Sequence, residues 1–234
     1  MSTADDRSRA PDTASHRLYD AARGVFYVKP RLRGWSHLVW FEASLVLGTL
    51  VILAAHGATE VTAASIYTAS VSAMFGTSAL YHRGNWGTRA SRVLQRADHA
   101  MIFLLIAGTG TPVFLLAAPG GYGTVCLATS WLLASVAASI HLVWMTAPEV
   151  VVGATFIGLG CIGALALPLI WVHEGVAPAL LMLAGGGLYV VGAILYHRRR
   201  PDPYPAVFGY HEVFHAYVCA AAACHYIAIA LFIL

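Results

Sequence analysis

The sequence predicts an all-α polytopic membrane protein, a bundle of seven transmembrane helices with its N-terminus in the cytoplasm. Three observations predict it. Hydrophobic residues make up 59% of the 234-residue chain and charged residues only 11%, against roughly 25% charged in a soluble domain. The apolar residues come in long runs, each close to the ~20 residues that carry a helix across a bilayer, and not in the short alternating segments of a transmembrane barrel. The basic residues fall in three places that seven spans put on one side. The net charge of +3 gives no sign of a nucleic-acid partner.

Taken in order, residues 1–34 form a polar and interfacial N-terminal cytoplasmic segment, and residues 35–234 form the membrane domain. Residues 1–16 have the composition of a disordered tail, with no apolar stretch beside a cleavage site, so a cleaved signal peptide is not expected. Residues 17–34 mix Arg and Lys with Tyr19, Phe26 and Tyr27, which suits a segment lying on the membrane surface. Seven apolar runs follow at about 35–56, 62–82, 98–117, 123–145, 150–172, 177–197 and 209–233. The connections are too short for a second domain, and no internal repeat is visible. Pro112 and Pro168 are expected to kink the third and fifth spans. The glycines of the fifth and sixth spans (Gly153, Gly158, Gly160, Gly163, Gly185, Gly186, Gly187, Gly192) and the alanines at 220–223 read as small residues that let helices approach. Cys126, Cys161, Cys219 and Cys224 all fall in apolar runs and read as packing residues.

Orientation follows from the basic residues. Seven lie in the N-terminal segment, four after the second span (Arg83, Arg89, Arg92, Arg96) and three after the sixth (Arg198, Arg199, Arg200), which accounts for every Lys and Arg in the chain. The positive side is cytoplasmic. His82 then ends span two, Asp98 opens span three, and His211 and His215 occupy the first two turns of span seven, all at one membrane depth. Glu42, two turns into span one, lies at the same level.

Two histidines four residues apart share a helix face, about 6 Å apart along the axis. His82, His211 and His215 together supply three imidazole nitrogens, the ligand count of a catalytic zinc site that leaves a fourth position to water. Zinc lowers the pKa of such a water towards neutrality. Asp98 is placed to hold that water and accept its proton. Ser78, one turn before His82, presents its hydroxyl on the same face. His37, His56, His173 and His197 sit at predicted membrane boundaries and read as interfacial. His141 and His225 lie deeper but lack a matched neighbour. His99 diverges from the adjacent Asp98, as neighbours on a helix do, and Glu212 points away from His211 and His215, which suits a structural or supporting role.

The pattern Ser78-x-x-x-His82, Arg96-Ala97-Asp98-His99 and Gly209-Tyr210-His211-Glu212-Val213-Phe214-His215 resembles the hemolysin III family, the bacterial branch of the progestin and adiponectin receptor (PAQR) family. Thr109-Gly110-Thr111-Pro112 and Arg33-Gly34-Trp35-Ser36-His37 look like that family too, and the resemblance covers about residues 29–234. It implies a seven-helix bundle with a cytoplasmic N-terminus, Zn2+ on His82, His211 and His215, Asp98 acting through water, and Ser78 nearby. Glu42 is outside the pattern. The resemblance also implies kinship with membrane hydrolases that include alkaline ceramidases.

The expectation is therefore a cell-membrane zinc hydrolase acting on a lipid amide or ester, with Asp98 and Ser78 as catalytic residues and a membrane lipid as substrate or ligand. The alternative is a non-catalytic regulator of the membrane, or a lytic pore-like protein, with structural zinc. A proton or ion pathway through Glu42, Asp98 and the histidines ranks last, because the polar residues gather at one depth.

Overall fold

In a computed structural model, residues 17–20, 25–118, 120–144 and 148–234 are described. The tail expected to be disordered, residues 1–16, lies outside them. Among the described residues, six stretches are long and apolar enough to cross a membrane: Trp35–Ala54, Thr88–Ala117, Gly121–Val143, Val150–His173, Val176–Arg198 and Tyr210–Ile233. They correspond to α1 (Trp35–Ala54), α3 (Thr88–Pro112, continued by a wider π turn, Val113–Ala117), α4 (Gly121–Val143), α5 and α6 (Glu149–Ala164 and Leu167–His173), α7 (Val176–Arg198) and α8 (Tyr210–Ala228, continued by a π turn, Ile229–Ile233).

The remaining long helix, α2 (Gly57–Arg83), has 27 residues. At 1.5 Å per residue it is about 40 Å long, more than the ~30 Å of a hydrocarbon core. It misses the hydropathy of the other spans because it is an inner helix. Ala63, Ala64, Ser70, Ser78 and His82 are all buried. A Cβ on Gly108 of α3 would run into Ser70, and one on Gly48 of α1 would run into Thr68. A helix that faces neighbours in place of lipid is free to carry small and hydroxyl residues. With α2 the bundle has its seven spans.

Both prolines mark breaks. Pro112 has no N–H to donate and its ring crowds the preceding turn, so α3 passes into the π turn directly after it. Pro168 lies in the first turn of α6, where a missing N–H costs nothing, and α5 ends four residues before it. The fifth span is thus two helices meeting at residues 165–166. The interior of the bundle is filled by large side chains, with Phe75, Phe114, Val113, Ile170 and Ile229 at 1% exposure or less.

Below the level of whole spans, the structure adds to the sequence reading and in places corrects it. Residues 17–34 contain an antiparallel hairpin, β1 (Arg17–Asp20) paired with β2 (Val25–Val28). Its continuation is tied to the α7–α8 connection, with Arg31 N–H donating to Ala206 O at 3.1 Å and Leu32 N–H to Val207 O at 3.0 Å. Helix α3 starts ten residues before its apolar run, because Arg89, Arg92 and Arg96 hide a helical extension from any hydropathy reading. Of the glycines read as packing, Gly185 and Gly192 do lie against α8, where a Cβ would meet His225 or Tyr217, but Gly153, Gly158, Gly160, Gly163, Gly186 and Gly187 have nothing within 4 Å. Cys126 is buried as expected, whereas Cys161 is exposed.

The contrast between the two kinds of glycine is testable. Gly108→Ala should destabilise the bundle by about 1–3 kcal/mol through overpacking against Ser70. Gly160→Ala should be neutral or stabilising by a few tenths of a kcal/mol, up to about 1. Thermal melting in detergent distinguishes them, and equal losses would contradict the placement of α2.

Candidate metal centre

The centre is assembled at the end of the bundle where all three basic segments meet. Lys29 Nζ donates to Gly84 O at 3.1 Å, and Arg83 lies over the Trp35 ring at 4.2 Å from its centroid, a cation–π contact. Burial, and then the Arg83 and Arg33 guanidinium groups, lower the Lys29 pKa below the usual lysine value. This electropositive end is the cytoplasmic one by the positive-inside rule.

Helix α8 is set by its cap. Gly209 is extended, and the Glu212 carboxylate three residues on reaches back to accept from Gly209 N–H at 2.8 Å. This is half of a capping box. The other carboxylate oxygen accepts from Arg33 Nε. Glu212 and Arg33 are 2% and 8% exposed, so the charges compensate each other away from water. Tyr210 N–H is taken by Asp202 Oδ1 at 2.9 Å. With the first turn fixed in this way, His211 and His215 both face inward.

His82 comes from the last turn of α2. Gly34, immediately before α1, has φ +78°, and a Cβ there would stand 2.7 Å from His82 Cβ. Glycine is needed at position 34 both for the backbone conformation and for the approach to His82. The ligand nitrogens offered by His82, His211 and His215 all lie within 4.8 Å of one another. The rings are mutually inclined: 76° between His82 and His211, 71° between His211 and His215, 64° between His82 and His215. They point at a common space and do not stack.

Asp98 Oδ2 is 3.5 Å from His82 Nε2, too long for a hydrogen bond and close enough for the charge to be felt. Ser78 Oγ is 2.8 Å from His37 Nδ1. The His37 ring stacks on His215, centroids 3.7 Å apart and 9° from parallel. Four helices therefore contribute: α1, α2, α3 and α8.

The nitrogens fit a metal. His82 Nε2 and His215 Nδ1 are buried without a hydrogen-bond partner, a cost of roughly 1–3 kcal/mol each that a ligand would remove. A tetrahedral ion with bonds of about 2.0–2.1 Å holds its ligands roughly 3.4 Å apart, so modest ring rotations close the set. Imidazole nitrogens beside a carboxylate suit a borderline transition metal.

The structure brings together every residue singled out for the centre: Ser78, His82, Asp98, His211 and His215. It leaves out Glu42, which is exposed on the outer face of α1. Glu42 follows His37 by five residues, about 140° around the helix, so it shares the depth of the centre and not its direction. His37 is the residue the sequence reading missed. It was placed at the membrane boundary, but it is 3% exposed and lies against His215. Its membrane depth was the available signal, because the first turn of span one is level with the last turn of span two. Asp98 and His99 diverge as expected, with His99 directed to His141 on α4. His141, thought to lack a neighbour, therefore has one. His225 is structural, with Nε2 3.1 Å from Met182 O.

Beyond His37 towards the lipid, its ring meets Phe75 edge-on, and Phe75 stacks on Trp40. Trp40 lines a small apolar recess between α1, α2 and α8, together with Ser44, Gly48, Thr68 and Tyr226, with room for about one water.

A family described as haemolysin-III related matches residues 26–226. The chain is 27% identical over 197 residues to the "Hemolysin-3" of Bacillus cereus, a match that covers 82% of this chain and 87% of that protein. It is 26% identical over 176 residues to the "Hemolysin-3 homolog" of Bacillus subtilis (strain 168), covering 74% of this chain and 79% of the relative.

Removing the cap carboxylate should be costly. Glu212→Ala leaves Arg33 buried without its counter-charge and should lose roughly 3–5 kcal/mol of stability. Glu212→Gln, which keeps an acceptor for the Gly209 N–H, should lose less. Thermal melting of the two variants in one detergent measures the order.

Proposed function

The chain belongs to the haemolysin-III-related family, and from that premise we propose that it is a zinc-dependent hydrolase of the cell membrane that cleaves a lipid amide or ester. The observation that carries the reading is the pair of buried, unpartnered imidazole nitrogens on His82 and His215, gathered with His211 beside a single carboxylate. Zinc held by these three histidines supplies Lewis-acid polarisation and a water that ionises near neutral pH.

The chain's own residues do the rest. Asp98, 3.5 Å from His82 Nε2, takes the proton of the attacking water and returns it to the departing amine or alcohol. Ser78 donates its hydroxyl hydrogen to the reacting carbonyl oxygen. For that, the His37 proton resides on Nδ1 and is donated to Ser78 Oγ, and the Ser78 O–H, which faces Asp98, turns to the carbonyl. The stack of His37 on His215 keeps both rings in register. For an acyl chain to enter from the bilayer at Trp40, α1, α2 and α8 part and the rings of Phe75 and His37, which close that recess off from the reacting atoms, swing aside. The cytoplasmic cations Lys29, Arg33 and Arg83 stand where the polar product leaves.

The name of the relatives supports a second reading, a lytic membrane protein in which the metal is structural. A pore of this kind predicts release of dye from liposomes that is independent of the metal. The burial of Phe75, and deeper in the bundle of Phe114 and Ile229, fills the interior where a pore would run and favours the hydrolase.

Two measurements check the proposal. Elemental mass spectrometry of detergent-purified protein should find about one zinc per chain, lost in His82→Ala, His211→Ala and His215→Ala. Asp98→Asn should keep the zinc and lose activity on a panel of amide and ester lipids by about 10²–10⁴-fold. Wild-type protein loaded with zinc that turns over none of the panel, or an Asp98→Asn variant as active as wild type, would remove the hydrolase reading. Equal metal in wild type and all three histidine variants would remove the centre itself.

A further inference from the structure

A second polar cluster lies on another face of α3. Gln95, Arg96 and His99 of α3 and His141 of α4 line a pocket of about 210 Å³, its open mouth included. All four lining residues are polar. His99 Nδ1 and His141 Nε2 are 3.0 Å apart and share a hydrogen bond. Arg96 Nε is buried with no hydrogen-bond partner. His141, at 9% exposure, forms the inner wall. The cluster is separate from the metal centre, because Asp98 turns to His82 while His99 turns to α4.

The chemistry of the lining decides what it takes. A permanent guanidinium charge disfavours a metal cation, and an apolar group would leave the buried Arg96 Nε unsatisfied. No carboxylate lines the pocket. An unsatisfied guanidinium N–H beside an amide and two imidazoles calls for an oxyanion, the group that Arg recognises best. The route to the pocket is also positive. Arg89, Arg92, Arg96 and His99 are spaced three, four and three residues apart, which puts them on one face of α3. Arg89 and Arg92 are exposed at the cytoplasmic end of that face. The leaflet they meet carries the anionic lipids, whose surface potential attracts such residues.

We propose that this pocket binds a phosphate group, either the headgroup phosphate of an anionic lipid in the cytoplasmic leaflet or a free phosphate ion. Arg96 is its principal ligand, and Gln95, His99 and His141 complete the shell. Arg89 and Arg92 draw the anion in without holding it. The site is independent of the hydrolase reading and stands or falls without it.

The test uses purified full-length protein in a neutral detergent, with native mass spectrometry and thermal melting read in parallel. The probes are phosphatidylglycerol, diacylglycerol, which lacks the phosphate, and inorganic phosphate alone. One phosphatidylglycerol per chain should survive transfer to the gas phase and raise the melting midpoint, and diacylglycerol should do neither. Arg96→Gln should weaken binding about tenfold or more, as loss of a charge-assisted hydrogen bond does. His141→Gln should weaken it less, and Arg89→Gln by no more than about twofold. Inorganic phosphate that stabilises the protein and displaces the lipid identifies the free ion as sufficient, whereas lipid binding untouched by phosphate identifies the headgroup. Zinc content and melting of the apo variants serve as the folding control. Should Arg96→Gln fail it, His141→Gln carries the same comparison. The proposal is overturned if neither phosphatidylglycerol nor phosphate binds, if diacylglycerol binds equally well, or if Arg89→Gln loses as much as Arg96→Gln, which is the signature of diffuse surface attraction.

Discussion

The carboxylate of Glu212 holds two distant parts of the chain together. One oxygen closes the first turn of α8 through Gly209 N–H, and the other takes the Arg33 guanidinium from the segment before α1. Everything at the cytoplasmic end follows from that anchorage. It fixes the azimuth of α8, and hence of His211 and His215. It also brings the 29–34 segment over the end of α2, where Gly34 passes against His82 without a side chain to push it away. A carboxylate and a guanidinium removed from water are tolerable only as a pair. The pair therefore demands that α1, α2 and α8 arrive together, and the three imidazoles of the centre come from two of those helices.

The bundle was legible in the sequence, and so was the common level of the residues that form the centre. Apolar run length reports where a helix crosses, and the distribution of Arg and Lys reports which end is which. Direction around each helix was not legible. Glu42 and His37 illustrate the gap. Both lie in the first two turns of span one, yet one is exposed on the outer face and the other lies against His215. Hydropathy cannot separate them, because lipid and a protein interior are about equally apolar. For the same reason the glycines of α5 and Gly185 look alike in sequence, although only Gly185 has a neighbouring helix. The histidine triad was recoverable because a pair four residues apart fixes its own shared direction, and His82 lay at the same depth as that pair.

Polarity inside this protein is segregated by helix face. On α3, Asp98 turns to the histidines of the metal centre and His99 turns to His141. The buried apolar side chains of Phe75, and deeper of Phe114, Val113 and Ile229, fill the bundle beneath. Two polar sites can coexist a single residue apart in sequence because a helix rotates them roughly 100° apart, and because each is satisfied by a different neighbour.

The composition of α2 also bears on how the protein enters the membrane. Its serines, threonines and glycines suit an inner position, but they deprive it of the hydrophobicity by which the insertion machinery accepts a segment one at a time. Helix α2 is therefore a poor insertion substrate alone. Its entry is coupled to α1, which precedes it by two residues, and to the strongly apolar α3, so that the first three helices partition into the bilayer as one unit. The helix that carries Ser78 and His82 thus depends on its neighbours for admission to the membrane as well as for its place in the fold.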